Sequence, residues 1–398
     1  MGKDHIVVGL EIGTSKVCAV VGELKRDGSV QILGVGVAPS RGVRKGEIVD
    51  IETCGKCVRE AIADAEDKSD VMIKNVYLGV TGSHIASFNN RGAYSLPEER
   101  EKIHEEDFAR VQEAARTAPI PAQNMFVHTI LQHYYVDGQD GVLNPVGMFG
   151  RKLEADFHII HGNANRIRNS IQCLCDLDLE IEDIIFTPYA ASQAVLTQSQ
   201  KNAGVLMIDI GGGTTGYCVY DRGAVAQSGC LAIGGDHITN DLSLGLRIPI
   251  GKAEPLKQKE GSCIVGNCLP GEMVSLKDEH GFAGKEVERE MLNTIIHMRV
   301  RETFELMKRE LDQQDFYEYL GGGIVLTGGS SELRGIKSVA EEIFGLPVQL
   351  CRAKNVSGVT SAFENPQYST AIGLVKYAQA TLEDEGGGIF GWIKGFFS

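Results

Sequence analysis

The chain has 398 residues and a formal net charge of −14, from 39 lysines and arginines against 53 aspartates and glutamates. This acidic balance argues against non-specific nucleic-acid binding, which needs clustered Lys and Arg. It also argues against a broad basic protein surface that would bind membranes. The length predicts roughly two to four domain-sized units. Hydrophobic residues make up 43% of the chain, which is enough for these units to bury hydrophobic cores. No apolar run approaches the roughly 20 residues of a membrane-spanning helix, and the start of the chain lacks a signal-peptide pattern.

The first part of the chain alternates strands and helices. Apolar runs predict strands at 5–12, 16–21, 30–38 and 76–80, and apolar residues at helical spacing predict a helix over 53–67. Cys54 and Cys57 on that helix have the CxxC spacing of redox and zinc sites, but no second pair with this spacing follows. Two interpretations stay open: a metal or redox site, or two small apolar residues on one helix face in a chain of reduced thiols.

Residues 85–165 have a different pattern from their surroundings. A charged helix is predicted at 105–117, followed by a Pro-Ile-Pro break and by strands at 125–136 and 153–161. We interpret this stretch as a small α+β unit inserted into the first half. After the insertion, the sequence predicts a helix at 164–177, a strand at 181–186 and a helix at 189–198.

The second part repeats the opening of the first. A strand at 205–210 and a returning strand at 216–220 flank a glycine-rich turn, which indicates an internal duplication. A helix-rich lobe at 240–320 and a strand at 324–326 follow, and the acidic, glycine-rich residues 383–388 predict a flexible linker. The expected units are 1–84 with 166–197, the insertion 85–165, 198–240 with 321–382, the lobe 241–320, the linker 383–388 and the tail 389–398.

Two motifs share the features of a phosphate site: residues 9–16 (GLEIGTSK) and 209–215 (DIGGGTT). Each places a carboxylate, Glu11 or Asp209, at the end of a buried strand, where it can hold a hydrated Mg²⁺. Glycine lets the backbone approach phosphates, while turn N–H groups and hydroxyls donate hydrogen bonds. Two such turns would hold a triphosphate from both sides, whereas the alternative is two purely structural turns. The candidate phosphate-binding residues are Gly13, Thr14, Ser15, Lys16, Gly211, Gly212, Gly213, Thr214 and Thr215.

A third motif runs from 324 to 333 (IVLTGGSSEL), as a strand followed by a glycine turn and a helix. Glycine at such a turn leaves space for a flat purine and its ribose. The candidate contacts are Gly328, Gly329, Ser330 and Leu333.

Together the three motifs resemble the superfamily of actin, sugar kinases and heat-shock ATPase chaperones. The stretches 39–47, 144–147, 234–239 and 365–373 narrow this resemblance to the bacterial cell-division family FtsA, over nearly the whole chain. The resemblance implies an α/β, actin-like (ribonuclease H-like) duplicated fold with an inserted SHS2-type subdomain. It also implies ATP and Mg²⁺ as ligands, self-assembly into filaments, and anchoring of the FtsZ ring to the cytoplasmic face of the inner membrane at the division site.

The resemblance assigns further residues. Gly234 and Gly235 would line the nucleotide site, and Glu254 and Lys257 would face ribose and base, although their spacing also fits an exposed i,i+3 pair on a helix. On a helix over 292–311, Arg299 and Glu302 match positions that face the C-terminal peptide of FtsZ. An intrahelical ion pair is the alternative, and from sequence alone Arg299→Glu is expected to leave stability unchanged. The inserted unit would contact other division proteins.

One departure from related ATPases concerns hydrolysis. Relatives that hydrolyse ATP usually carry Glu before the proline of 187–191 (TPYAA), where it polarises the attacking water. Here the residue is Thr187, whose hydroxyl is no base near neutral pH. We therefore expect ATP binding with slow hydrolysis and no assigned catalytic residue.

The last ten residues (IFGWIKGFFS) form an amphipathic pattern. At about 100° per residue, the apolar side chains fall on one face of a helix, which indicates a membrane-interface helix. A helix docked on the protein body is the alternative. The predicted membrane contacts are Ile389, Phe390, Trp392, Ile393, Phe396 and Phe397.

Two other functions remain as rivals. A type IV pilus assembly ATPase of the same fold would also carry an inserted unit, but the tail and the stretch 365–373 speak against it. A small-molecule kinase of the superfamily would need a catalytic Asp in a sugar pocket, and none can be placed.

Overall fold

The computed structural model describes residues 5–25, 28–278, 284–312 and 320–387. Its first sheet has six strands in the order β11-β6-β1-β2-β3-β19, in which β1, β2 and β3 form an antiparallel meander and β6, β11 and β19 pair in parallel. Both faces of β1 and β2 are buried, as their near-continuous apolar runs predict. The strands are β1 (His5–Ile12), β2 (Lys16–Leu24), β3 (Val30–Pro39), β6 (Asn75–Val80), β11 (Glu180–Phe186) and β19 (Val356–Gly358).

The second sheet repeats this topology with five strands in the order β14-β13-β12-β17-β18. As in the first sheet, the first three strands pair as an antiparallel meander, here β12, β13 and β14. Strand β17 then pairs in parallel with β12 on one side and with β18 on the other. The duplicated α/β fold expected from the sequence is therefore present. The strands are β12 (Val205–Ile210), β13 (Thr215–Asp221), β14 (Ala224–Leu231), β17 (Ile324–Thr327) and β18 (Val348–Leu350).

The insertion forms a separate antiparallel sheet in the order β7-β10-β8-β9, covered by helix α2. Its elements are β7 (Ala86–Ser95), α2 (Glu106–Arg116), β8 (Asn124–Val136), β9 (Gln139–Val142) and β10 (Lys152–Asn163). The sheet also caps edge strand β14, because Ser87 donates to Ser228 O at 2.7 Å and Gln132 donates to Val225 O at 2.6 Å. Buried His158 adds hydrogen bonds to Asn89 (2.7 Å) and to the Ser228 hydroxyl (2.8 Å).

The helices cover these sheets and build the lobe of the second half. Helix α1 begins at a cap in which Asp50 accepts a hydrogen bond from Thr53 N. The helices are α1 (Ile51–Ser69), α3 (Ala164–Cys175), α4 (Thr187–Val195), α5 (Gln198–Ala203), α6 (Gly235–Gly245), α7 (Ile250–Glu260), α8 (Arg289–Asp312), α9 (Ile336–Phe344), α10 (Thr360–Phe363) and α11 (Ser369–Gly387). Two small hairpins complete the fold: β4 (Val43–Arg44) with β5 (Glu47–Ile48), and β15 (Met273–Leu276) with β16 (Lys285–Glu288).

Helices α4 and α11 pack against each other between the two large sheets, within one shared hydrophobic core. Helix α11 lies on β1 and β2, and β19 pairs with β3. The expected units placed all of 321–382 in the second half, whereas β19 and α11 pack on the first sheet and only the start of α11 also bonds to the second half, through Ser369 and Thr370. Such a return to the first sheet depends on strand pairing between residues distant in the chain, which local patterns do not carry.

The linker expectation also differs from the structure. Helix α11 continues to Gly387, so 383–387 are helical. Glu383 and Glu385 have good helix propensity and favour this extension, whereas Gly386 and Gly387 disfavour helix and are the last residues of α11. Residue 388 and the tail 389–398, with its predicted membrane contacts, lie outside the described residues. In the described part of the chain, no helix is both long and apolar enough to span a bilayer.

The CxxC pair faces the core. Cys54 and Cys57 are buried on α1, as the apolar interpretation predicts, and Cys54 shares a hydrogen bond with Cys173 of α3. Burial and that neighbour raise the pKa of Cys54, a combination unlike that of a reactive thiolate. Within 5–25, 28–278, 284–312 and 320–387, no group of three or more His, Cys, Asp or Glu side chains could hold a metal ion.

Candidate functional site

A cleft lies where the leading hairpins of the two large sheets face each other. It encloses about 610 Å³ of empty space, including its open mouth. The β1–β2 turn, the β12–β13 turn and the loop after β17 all contribute to its wall. The lining residues are Glu11, Ile12, Gly13, Thr14, Ser15, Lys16, Gly46, Thr81, Thr187, Asp209, Gly211, Gly212, Gly213, Thr214, Gly216, Gly328, Gly329, Gln367 and Thr370.

The two turns are closed in the same way and touch each other. Gly13 N donates to Lys16 O at 2.9 Å, and Gly211 N donates to Thr214 O at 2.9 Å. A Cβ built on Gly213 would lie only 2.3 Å from Oγ1 and 2.8 Å from Cβ of Thr14. Glycine is therefore required where the turns meet, because any side chain would push them apart.

Two buried carboxylates lie at the inner end of the cleft. Oε2 of Glu11 is buried with no hydrogen-bond partner, and Oδ2 of Asp209 accepts a hydrogen bond from Thr370 Oγ1 at 2.8 Å. Burial raises the pKa of Glu11 to about 7; Lys16 opposes this rise and Asp209 adds to it. Burial also raises the pKa of Asp209, against the Thr370 hydrogen bond and the charge of Lys16.

This arrangement fits a hydrated divalent cation. Mg²⁺ is usually held by one or two carboxylates, with water and phosphate oxygens completing its shell. A cation held by Glu11 and Asp209 would offset the negative charge of these two carboxylates. Lys16 lines the same cavity, so its ammonium adds positive charge on the side of the first turn.

A second, smaller cavity of about 270 Å³ lies in the second half, beneath the β17 loop. It is lined mainly by apolar side chains of the core, including Ile238, Phe304 and Ile336. The predicted residues Thr215, Gly234, Ser330 and Leu333 line this cavity rather than the main cleft. Gly235 lies beside it, because a Cβ there would be 2.5 Å from the Ser330 hydroxyl.

Glu254 and Lys257 form a partly buried ion pair at 2.7 Å, and Lys257 is only 6% exposed. The Lys257 ammonium also donates to Gly235 O at 3.0 Å and to the Thr239 hydroxyl at 2.9 Å. The alternative of an i,i+3 ion pair is therefore present, but with Lys257 buried rather than exposed. The pair secures the start of α6 behind the glycines, and neither side chain lines the main cleft.

Thr187, the first residue of α4, is buried and lines the cleft. Its methyl group packs close to Gly79, where a Cβ would lie 3.0 Å from Thr187 Cγ2. The position expected for a water-polarising acid therefore borders the cavity, but a neutral hydroxyl occupies it.

Arg299 and Glu302 lie on α8 and are ion-paired at 2.5 Å, as the alternative interpretation allows. Arg299 also binds Asp241 of α6 through Nε at 2.5 Å and Nη2 at 3.1 Å. Arg299 therefore joins two helices, which gives a physical reason to expect that Arg299→Glu lowers stability rather than leaving it unchanged.

Six cleft residues were not assigned a role from the sequence: Ile12, Gly46, Thr81, Gly216, Gln367 and Thr370. Thr81 lies in none of the motifs. Gly46 belongs to the stretch 39–47, and Gln367 and Thr370 belong to the stretch 365–373; both stretches carried the family resemblance but no site role. The stretch 365–373 was the available signal, because Thr370 binds a carboxylate that the motifs had already singled out.

The comparisons with known proteins identify the family of the chain. A family model described as "Cell division protein FtsA" matches residues 206–373, and one described as "SHS2 domain inserted in FTSA" matches residues 82–161. A curated Cell division protein FtsA from Pseudomonas aeruginosa is 37% identical over 379 residues, which cover 95% of this chain and 90% of that protein. The chain belongs to the FtsA family.

Solved structures support the fold of this FtsA family member. The type IV pilus biogenesis complex PilM-PilN matches with a TM-score of 0.64 at 16% identity, covering 95% of this chain and 99% of that chain. MreB5 of Spiroplasma citri bound to AMPPNP matches with a TM-score of 0.58 at 14% identity, covering 97% and 99%. At such identities these similarities show the actin-like fold alone. The pilus alternative therefore shares the architecture, whereas the sequence belongs to FtsA.

Proposed function

We propose that the chain binds ATP with Mg²⁺ in the cleft, and that this binding controls its work as an actin-like cell-division protein. The observation that carries the proposal is the pair of matching turns in contact, with two carboxylates behind them, one of which has a buried oxygen without a hydrogen-bond partner. The turn N–H groups and hydroxyls hold the phosphates, and Glu11 and Asp209 hold the metal ion. When bound, Mg²⁺ neutralises phosphate charge. The glycine turn after β17, which lines the cleft through Gly328 and Gly329, receives the base.

Hydrolysis in this cleft is slow. A general base must accept a proton from the attacking water, and the hydroxyl of Thr187 cannot do so near neutral pH. Glu11 and Asp209 are committed to the metal ion. We expect the protein to act as a nucleotide-dependent scaffold rather than as a fast enzyme.

The scaffold role is the self-assembly of filaments that anchor the FtsZ ring to the cytoplasmic face of the inner membrane at the division site. Membership of the FtsA family and the amphipathic pattern of the last ten residues support this role. Six apolar side chains contribute about 1.5–3 kcal/mol each, while ordering ten residues costs about 1–2 kcal/mol each. A single tail therefore binds marginally, and a filament with many tails binds firmly through avidity.

Two further surfaces take protein partners in this proposal. The α6–α8 side of the lobe receives the C-terminal peptide of FtsZ, with Glu302, which is 53% exposed, more accessible than the doubly paired Arg299. The inserted sheet receives other division proteins. Its loop after β9 exposes Leu143 at 95% and Phe149 at 67%, as apolar docking requires.

Co-sedimentation of FtsZ polymers with liposomes of bacterial lipids tests the proposal. The full chain with MgATP should carry FtsZ into the lipid pellet, and less should pellet at low protein concentration or without nucleotide. A chain ending at Gly387 keeps α11 intact and should bind FtsZ but not lipid. Trp392→Glu should behave like the truncation, because it places a carboxylate in hydrocarbon.

Two results would separate the parts of the proposal. If Trp392→Glu pellets with lipid as well as the wild type does, the tail is a docked helix and not the anchor. If the wild type binds lipid but leaves FtsZ in the supernatant, the membrane role stands and the partner is wrong.

A further inference from the structure

Three lysines come together where the two halves of the protein are joined. Lys201 lies on α5, which leads from α4 into the second sheet, and Lys354 lies between β18 of the second sheet and β19 of the first. Lys376 lies on α11, which packs on β1 and β2. We call these three residues the lysine cluster.

Hydrogen bonds hold the members of the lysine cluster close together. The Lys376 ammonium donates to the backbone carbonyl of Lys354 at 2.8 Å. The Lys354 ammonium donates at 3.3 Å to Oε1 of Gln200, which directly precedes Lys201. The Lys201 ammonium donates to Oε1 of Gln193 on α4 at 2.7 Å. Segments that are distant in the chain therefore bring three ammoniums into one region of the protein.

The oxygen atoms that accept hydrogen bonds from the lysine cluster are all uncharged. They belong to two side-chain amides and one backbone carbonyl, and in the part of the chain that the structure describes no carboxylate pairs with any of the three ammoniums. An ammonium has three hydrogens to donate, so each keeps a donor for a further partner. Carboxylates are in excess in this chain, with 53 acidic against 39 basic residues, and yet none is placed here.

The lysine cluster is also partly withdrawn from water, because all three side chains are half-buried. Burial lowers the pKa of Lys201 to about 8; Cys218 opposes this shift and the charge of Lys376 adds to it. Burial lowers the pKa of Lys376 as well. Charged groups withdrawn from water are normally paired, so the lysine cluster lacks the counter-charge that its burial calls for.

A phosphate group would supply this missing charge better than a carboxylate would. A phosphomonoester carries about −1.5 to −2 charges near neutral pH and three strong acceptor oxygens, whereas a carboxylate carries a single charge. Lysine binds phosphate as a compact point charge, and three ammoniums from three directions suit a group with several oxygens. The chemistry of the lysine cluster therefore favours a phosphate-bearing anion.

The lysine cluster is separate from the nucleotide cleft. Thr187 of α4 and Thr370 of α11 line the cleft, whereas Gln193 and Lys376 each lie six residues further along the same two helices, or about 9 Å at about 1.5 Å per residue. Among the described residues that line the cleft, none belongs to the lysine cluster. An anion bound here would contact the connections between the halves without entering the cleft.

We propose that the lysine cluster is a second anion site, which binds a phosphate group and so ties the connections between the two halves to α11. This site does not depend on nucleotide binding in the cleft. Two sources offer such a group: a soluble phosphate compound, or the headgroup of an anionic lipid, since the predicted membrane contacts follow α11 in the chain.

Trace acetylation of the full chain with acetic anhydride at mildly alkaline pH, read by peptide mass spectrometry, reports on each lysine separately. Sodium pyrophosphate should reduce acetylation of the lysine cluster several-fold relative to sodium chloride at the same ionic strength, because a bound anion covers the ammoniums and stabilises their charged form. Lys277, which is exposed on the lobe, is the internal control and should not change. The protection should persist in Gly213→Asp, whose cleft is expected not to take phosphates.

Variants test the individual lysines. Lys201→Gln, Lys354→Gln and Lys376→Gln each keep a side chain that can donate hydrogen bonds but remove one charge. Each should raise the pyrophosphate concentration that half-protects the two remaining lysines by about 10-fold, the size of one hydrogen bond to a charged group. Lys277→Gln is the matched control and should leave that concentration unchanged.

Vesicles distinguish the two sources of the phosphate group. Stronger protection of the lysine cluster by phosphatidylglycerol vesicles than by phosphatidylcholine vesicles would assign it to lipid headgroups, and protection by pyrophosphate alone would assign it to a soluble compound. Unchanged acetylation with pyrophosphate and with both kinds of vesicle would overturn the inference. Equal protection of Lys277 would also overturn it, because general screening would then explain the effect. Nucleotide binding in the cleft is measured separately, so the proposed function stands under either result.

Discussion

The contact between the two turns gives a quantitative prediction for Gly213→Ala. The new Cβ would lie 2.8 Å from Cβ of Thr14 and 2.3 Å from its hydroxyl. Ordinary carbon–carbon contacts need about 3.5–4.0 Å, so the turns must separate by about 1 Å. Overpacking of this kind costs about 1–3 kcal/mol, which corresponds to about a 5- to 150-fold loss of ATP affinity if binding requires the closed arrangement.

Titration calorimetry with MgATP measures this loss directly. Gly251→Ala is the control, because a Cβ at Gly251 meets nothing within 4 Å. Gly213→Asp should abolish binding, since it adds a charge to the same clash. The reasoning is refuted if Gly213→Ala binds ATP with wild-type affinity, because the turns would then tolerate a side chain where the structure leaves no space.

Three other predictions concern turnover and stability. Thr187→Glu should raise the steady-state ATPase rate of a wild type that works far below about 10 per second; a fast wild type would mean that another group supplies the base. Arg299→Glu should lower the free energy of unfolding by about 1–3 kcal/mol, because Asp241 and Glu302 then face a third carboxylate; unchanged denaturation curves would contradict this. Burial lowers the pKa of His158 to about 3. The stability that its neutral imidazole contributes is therefore fully present above about pH 6.5 and is lost as the pH falls toward 3. Acidification from pH 7 to 5 should therefore destabilise the wild type by about 2 kcal/mol more than His158→Gln, and equal losses in urea titrations would argue against the buried neutral imidazole.

The duplicated fold and the turns of the cleft were predictable because each is encoded locally. The strand, acid and glycine turn at Glu11 recur at Asp209, and two copies of one local pattern predict two facing sites. The insertion was equally visible, as an α+β pattern between elements of another type.

What could not be predicted depends on contacts between residues far apart in the chain. The hydrogen bond from Gly46 to Thr14, the bond from Thr370 to Asp209 and the pairing of β19 with β3 join segments with no shared local pattern. Arg299 shows the same limit, because its partner Glu302 is readable from helical spacing but Asp241 on another helix is not. The phosphate turns that form the cleft could therefore be located from the sequence, whereas the contacts that other segments make with these turns and carboxylates could not.

The most direct test of the central claim is the Mg²⁺ dependence of ATP binding in the wild type and in Asp209→Ala, measured by calorimetry with and without the metal ion. The two buried carboxylates predict that Mg²⁺ strengthens ATP binding in the wild type, and that most of this gain disappears in Asp209→Ala while metal-free binding remains. Equal Mg²⁺ enhancement in both proteins would contradict the assignment of these carboxylates, and with it the proposed nucleotide site.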